Sequence, residues 1–348
     1  MKHLAPACFR AFRCAAGSCP DSCCGAGWEI VPDEETLALY RSLPGESGAR
    51  IRAGIVPALD ALPDAAAEEP LLRQDERRVC VLLDPDGLCH VQRNFGHEAL
   101  CRVCREYPRF HREFGNLTEH GLSLSCPTAY ALATAQVPAW EEWEDDAPIV
   151  PNELDPAAYL RLHRGRELAL ELLTREELPF WQRIALVRRL AAAMQAAPEK
   201  HIRHDYNVRL RRWESLPPRC REDSCPRSGT SLPYGALARR FLALEILSPA
   251  WRDALERFLA LAETGQLPQD LLTPEDPEPC ARWLWYELYK YWLDALDDGN
   301  LLGRVQRSLD MLLLGMAMDR ALPGEGPFLR RISREIEHCE ENLAALLK

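Results

Sequence analysis

The sequence predicts a mainly α fold, in which a cysteine-rich, irregular metal-binding N-terminal part packs on a multi-helix body. Three observations carry that reading. Of the 14 cysteines, ten lie within the first 126 residues, and only Cys220, Cys225, Cys280 and Cys339 follow. Around the early cysteines the chain is rich in Gly, Pro and Ser, as in Gly17-Ser-Cys-Pro-Asp-Ser-Cys-Cys-Gly-Ala-Gly27, which is the composition of turns. Beyond residue 150 apolar residues recur at helical spacing, and no stretch shows several alternating strands joined by hairpin turns.

Taken in order, helices are expected over residues 33–43 and 50–62, with an alanine-rich tract at 60–67. Asp155-Pro156 supplies an N-cap followed by proline at the first helical position. Thr174-Arg-Glu-Glu177 reads as a capping box ahead of the run Phe180, Ile184, Val187 and Leu190. Ser248-Pro249 opens another helix, with Trp251, Leu255, Phe258 and Leu259 at helical spacing. Aromatic-rich helices follow over 283–296 and 301–318, and a last one over 328–347. The acidic, proline-bearing stretch 141–148 is the expected boundary between a cysteine-rich region, 1–140, and an all-α, substrate-binding region, 150–348. A second irregular stretch, 216–233, interrupts the helices.

Composition excludes several classes. With 348 residues, 47% of them hydrophobic, the chain has ample material for a core. No apolar run approaches the ~18 residues of a membrane span, and the N-terminal residues lack the apolar stretch of a secretory signal. A cytoplasmic location is therefore expected, where thiols stay reduced and a high cysteine count points to metal or redox chemistry. The net charge of −11 argues against a nucleic-acid binder, which needs a basic face. It suits a lysine-bearing protein partner, or solubility alone.

Two cysteine clusters stand out: Cys14, Cys19, Cys23 and Cys24, then Cys80, Cys89, Cys101 and Cys104, with Cys126 beyond. Thiolates are soft ligands suited to zinc or iron, and four converging groups make a tetrahedral site. Isolated cysteines are often buried small hydrophobes, but ten in 126 residues, two of them adjacent in a turn-rich loop, favour a metal. The nearby histidines show no regular ligand spacing, and neither paired zinc knuckles nor a CxxxCxxC triplet is present, so zinc and iron–sulfur both stay open. Cys220 and Cys225 make a further pair that lacks partners.

The string Phe12-Arg-Cys14-x4-Cys19-Pro-Asp-Ser-Cys23-Cys24-x3-Trp28 resembles the N-terminal signature of the bacterial flagellin lysine-N-methylases, and more widely the cysteine-cluster metal-chelating domains. So do Cys80-Val-Leu-Leu-Asp-Pro-Asp-Gly-Leu-Cys89-His-Val-Gln, Cys104-Arg-Glu-Tyr-Pro-Arg109, Leu122-Ser-Leu-Ser-Cys126-Pro127 and Ile332-Ser-Arg-Glu-Ile-Glu-His338. The resemblance implies a cytoplasmic enzyme that methylates the ε-amino group of surface lysines on flagellin. It implies S-adenosylmethionine as donor and a cysteine-held iron–sulfur cluster, 4Fe-4S in type. Carried over residue by residue, the metal-ligand candidates are Cys14, Cys19, Cys23, Cys24, Cys80, Cys89, Cys104 and Cys126, enough for two four-ligand sites or for one cluster and a separate structural metal. Two departures are visible: three residues rather than two separate Cys24 from Trp28, and Cys101 is an extra thiol that rivals Cys104.

Methyl transfer to lysine requires a neutral amine, whereas a free lysine side chain, with pKa ~10.4, is protonated at neutral pH. A site must desolvate the amine or accept its proton while holding it in line. No Rossmann-type GxGxxG follows a strand, so a doubly wound methyltransferase domain is not expected. Arg105, Arg109 and Asp86 are the candidates to hold the donor, within a group that includes Arg102, Arg112 and Asp84. Tyr107, Arg109 and His338 are the candidate catalytic residues, with Arg334 one helical turn before His338. Asp84-Pro-Asp-Gly87 also reads as a plain turn, and the aromatic stripe from Trp283 to Trp292 as interhelical core or as part of a pocket for methylated lysine. The rival readings are a non-enzymatic, structural zinc-binding interaction module and an electron carrier for another enzyme.

Overall fold

The computed structural model describes residues 1–57, 69–149, 154–196 and 234–347. The 60–67 tract, the 216–233 stretch and the Cys220/Cys225 pair lie outside them. Helices dominate, and they bury their apolar faces in one large core. Asp155 accepts a hydrogen bond from the Ala157 N–H at 2.8 Å and starts the helix Pro156–Leu173 as the sequence predicts. The next helix, Phe180–Ala196, buries Phe180, Ile184, Val187 and Leu190. Thr174 does not cap it, contrary to expectation. Its hydroxyl donates back to the Glu171 carbonyl at 2.9 Å and closes the preceding helix. Pro179 disfavours helical backbone at Leu178, so the new helix can begin only beyond it.

The aromatic helix runs Glu278–Tyr291 and then tightens into a 3₁₀ turn, Trp292–Asp294, and a single α-turn that Gly299 closes at φ +71°. It packs against Pro127–Ala135, Pro156–Leu173 and Leu301–Ala321. That explains why Trp283, Trp285, Tyr286, Tyr289, Tyr291 and Trp292 are all buried: a helix covered on several sides is apolar most of the way round. The closing helix is two helices, Phe328–Ile336 and Glu340–Ala345, with Glu337, His338 and Cys339 between them.

The expectation of no strand-and-hairpin structure is overturned. Four strands form a sheet in the order β4 (Arg109–Phe114), β5 (Leu117–Leu122), β1 (Lys2–Pro6), β6 (Trp140–Glu144), with β1 parallel to β5 and the other pairs antiparallel. Phe114 pairs with Leu117 across Gly115-Asn116, with Gly115 at φ +65°. A Gly-Asn dipeptide between two six-residue runs is a hairpin signal. The first part of the acidic 141–148 stretch lies in β6, where Lys2 pairs with Glu144 and Pro6 with Trp140. Among the described residues no helix is long and apolar enough to cross a membrane.

The cysteine-rich part has its own small core, built from Tyr40, Leu43, Ile51, Leu72, Leu82, Val91 and Leu100 together with Cys80. Asp33 organises it. The Asp33 carboxylate caps the helix Glu34–Ser42 through the Thr36 N–H at 3.0 Å and also accepts from the Arg102 N–H at 2.9 Å. These two backbone donors, Arg102 foremost, pull its pKa down to about 2. The helix expected over 50–62 is instead Gly45–Ala53, followed by the short pair β2 (Ile55–Val56) and β3 (Leu71–Leu72), so Ile55 and Val56 are strand rather than helix, and residues 58–62 lie outside the described residues.

Candidate functional site

The cysteines are brought together by turns rather than by regular structure. Ser22 starts a 3₁₀ turn, Cys23–Gly25, by accepting from the Cys24 N–H, and the Cys24 carbonyl accepts from the Cys80 N–H at 2.8 Å. The Asp84–Gly87 turn closes with Gly87 N–H donating to Asp84 at 2.9 Å, and Gly87 takes φ +81°. That reversal bridges Leu83 to Cys89 and returns Cys89 toward Cys80. Cys101 then sits at the N-cap of the helix Arg102–Glu106, one turn before Cys104.

The outcome is two groups. Cys24 exchanges thiol contacts with Cys23 and Cys89, Cys101 does so with Cys104, and Cys80 lies within electrostatic reach of Cys89 and Cys101. Cys14, Cys19 and Cys126 form a second group, with the Arg330 and Arg334 guanidiniums near Cys19. The contact with Cys23 leads in raising the Cys24 thiol, to about 12, while burial raises Cys80 to about 11. Such thiols stay protonated at neutral pH unless a cation offsets the burial of negative charge. Among the described residues, no three cysteine, histidine or carboxylate side chains stand in an arrangement that could hold a metal ion. The donor set itself is of the soft type that thiophilic metals take, because six sulfurs share one small region.

Beside the first group opens a cavity of ≈ 570 Å³, whose lining includes Cys23, Cys24, Cys80 and Cys104 together with Trp28, Tyr107 and His338. The Trp28 ring lies 4.0 Å from the His338 ring and 5.2 Å from the Tyr107 ring, centroid to centroid. Its indole N–H donates to the Arg334 carbonyl at 3.3 Å. Exposed Glu29, Glu245, Glu340 and Glu341 also line the cavity, against a single lining arginine, Arg78, so the opening is net acidic.

Behind the ring trio runs a polar chain. Ser125 Oγ stands 2.9 Å from His338 Nε2, 3.0 Å from the Tyr107 hydroxyl and 2.6 Å from Ser123 Oγ. Ser123 Oγ donates to Glu337 Oε2 at 2.8 Å, and Lys290 Nζ donates to the same oxygen at 2.6 Å. His338 lines the cavity and is exposed, yet the protein around its ring pushes its pKa down against the pull of Glu337. Burial raises Glu337, and Lys290 more than compensates, so it stays ionised. Burial and the Glu337 charge lift Glu287 to about 8.

The sequence candidates divide. Tyr107 and His338 line the cavity, as do Cys23, Cys24, Cys80 and Cys104. Arg109 does not: its guanidinium lies over Phe12 at 5.0 Å. Arg105 donates to the Glu98 carbonyl at 3.2 Å, and Asp86 pairs with Arg93 in the exposed turn, so neither lines the cavity. Arg334 lies on the helix but His338 lies beyond its end; Arg334 reaches Asp21 and the Gly25 carbonyl. Ser123, Ser125, Glu337 and Lys290 were not singled out from the sequence. The Ser-Leu-Ser-Cys-Pro motif was their one signal, and its serines gained meaning only when residues over 200 positions away closed on them.

Fold and site together define a mainly helical protein with a small sheet and a thiol-lined pocket backed by a histidine–serine–glutamate chain. No family model and no solved structure matches the chain. The chain is 29% identical over 156 residues to the lysine-N-methylase of Salmonella typhimurium, which covers 42% of this chain and 38% of that protein. It is 32% identical over 122 residues to the flagellar biosynthetic protein FliU of Salmonella muenchen, covering 35% of this chain and 70% of FliU. The chain belongs to the family of FliU. The match spans well under half the length of the lysine-N-methylases.

Proposed function

We propose that the chain is a protein-lysine N-methyltransferase that modifies surface lysines of a flagellin-like protein with S-adenosylmethionine as methyl donor. The names of its relatives support that direction. The observation that carries it is the pocket of Trp28, Tyr107 and His338 with an acidic mouth. Carboxylates at the mouth attract an ammonium, and aromatic walls hold a cationic side chain while stripping its water. Desolvation favours the neutral amine that displacement requires.

His338 is neutral at pH 7 and takes the role of proton acceptor at Nδ1. Its Nε2–H donates to Ser125 Oγ, Ser125 to Ser123, and Ser123 to ionised Glu337, which Lys290 holds in place. The Tyr107 hydroxyl donates to the same Ser125 oxygen and fixes the edge of the pocket. The donor's sulfonium supplies the transferable methyl group, and a cavity of ≈ 570 Å³ is within the range of small-molecule sites. A thiolate-bound metal, as an iron–sulfur cluster or as zinc, would be held by Cys23, Cys24, Cys80, Cys89 and Cys104, with Cys101 as a further thiol; it would tie the turns of this region together.

The test is transfer of radiolabelled methyl from S-adenosylmethionine to flagellin lysines. We expect His338→Ala to lower the rate about 10²-fold or more with donor binding retained. A wild-type chain that neither binds the donor nor labels any lysine would overturn the reading. Anaerobic purification with iron, sulfide and zinc analysis decides the metal: colourless, zinc-loaded protein indifferent to the donor favours a structural module.

A further inference from the structure

A second cavity, of ≈ 280 Å³, shares no lining residue with the Trp28 pocket. It lies between β6 and the helix Pro156–Leu173, and its construction follows from two periodicities. On β6, Trp140 and Glu142 are two apart and share a face. On the helix, His163, Glu167 and Glu171 are spaced by four and share a stripe. All five line the cavity, and Trp285 lines it from the aromatic helix.

Trp140 is 43% exposed, whereas Trp285 is 2% exposed; their rings lie 5.2 Å apart, and Trp140 also meets Tyr289 edge-on at 5.3 Å. Rigid backing of this kind holds an exposed indole in one orientation. Every charge facing the cavity can be counted. Arg166 is buried and spends its charge on Glu119 in a two-pronged ion pair. Burial pushes the His163 pKa down, so the ring is neutral at pH 7. Three exposed carboxylates remain: Glu142, Glu167 and Glu171. Among the described residues, neither Glu142 nor Glu171 has a side-chain hydrogen bond or ion pair, and Glu167 meets only His163, at 3.7 Å.

We infer that this groove is a docking site for a lysine side chain of a polypeptide partner, separate from the pocket proposed for methyl transfer. The indole face attracts the cation and packs against its methylenes. The carboxylates accept its N–H donors, and this favours an ammonium over a fully methylated nitrogen. The volume lies just below the ordinary range for a small-molecule site. The inference does not depend on whether the chain transfers methyl groups.

The test is the full chain, ¹⁵N-labelled at tryptophan, titrated with Nα-acetyl-lysine amide. We expect a saturable shift of the Trp140 indole resonance, assigned by its loss in Trp140→Phe. The triple variant Glu142→Gln, Glu167→Gln, Glu171→Gln changes exposed side chains only, and should weaken binding about tenfold. His338→Ala should leave the Trp140 shift intact and so separate this groove from the other pocket. A Trp140 resonance that stays still, one that moves equally with the neutral Nε-acetylated analogue, or unchanged affinity in the triple variant overturns the proposal.

Discussion

The two cores of this molecule are built on different principles. In the helical body, Trp283, Trp292, Phe258, Leu312 and their neighbours form a continuous apolar interior that needs nothing else to cohere. The cysteine-rich region buries a far smaller set around Tyr40, Ile51 and Leu82 and fills the gaps with thiols. Small cores rarely suffice alone and are commonly stapled by disulfides or metal. Here all the described cysteines are free. The body supplies rigidity, while the small region brings Trp28, Tyr107 and the thiols to its edge.

The sharpest way to break that contrast is to remove the small region's proposed staple. Cys80→Ser with Cys89→Ser, or metal removal by chelation, should abolish hydrogen-exchange protection around Tyr40 and Ile51, while the helix Leu301–Ala321 stays protected. Equal loss in both regions would mean that the cores are not independent. Next in size is the buried Arg166–Glu119 pair, which ties the body to β5. Arg166→Met strands the Glu119 carboxylate and should cost about 3–5 kcal/mol in urea unfolding.

The third prediction concerns pH. Glu287 ionises near 4.5 in the unfolded chain but only at about 8 when folded, because burial and Glu337 oppose its charge. Between those values folding retains a proton that the unfolded chain releases, so wild-type stability falls as pH rises through the window. Glu287→Gln should therefore gain melting temperature relative to wild type from pH 5 to pH 8 and show little difference below pH 4. The smallest effect is expected at Asp33. Asp33→Ala removes two backbone acceptor contacts and should cost about 1 kcal/mol, read as faster exchange at Thr36 and Arg102. Because the folded pKa of Asp33 is depressed, its contribution is present above pH ~4 and fades as pH falls toward 2.

Much of the architecture is readable in the residue types alone. Asp155-Pro156 marks its helix start in the residue types themselves, because an N-cap carboxylate and a proline act on their immediate neighbours. The recurrence of apolar residues every three to four positions from Phe180 to Leu190 is equally local. The hairpin at Gly115-Asn116 has a legible turn, but its strands, Arg-Phe-His-Arg-Glu-Phe and Leu-Thr-Glu-His-Gly-Leu, lack the regular apolar alternation that marks a strand in sequence. By contrast, nothing near Met1 announces that β1 will lie parallel to β5, since that pairing joins residues 115 positions apart.

The site divides along the same line. The cysteine spacing marks a thiol-rich region from the sequence alone, because residue type and local spacing carry that information, whereas the helical spacing that puts His338 on one face with Arg334 fails, because the helix ends at Ile336. Tertiary structure alone set Trp28 against His338, placed Ser123 and Ser125 between Tyr107 and Glu337, and turned Arg109 toward Phe12. A hydrogen-bond chain is selected by the requirement that buried polar groups find partners, and those partners exist only after distant segments have packed.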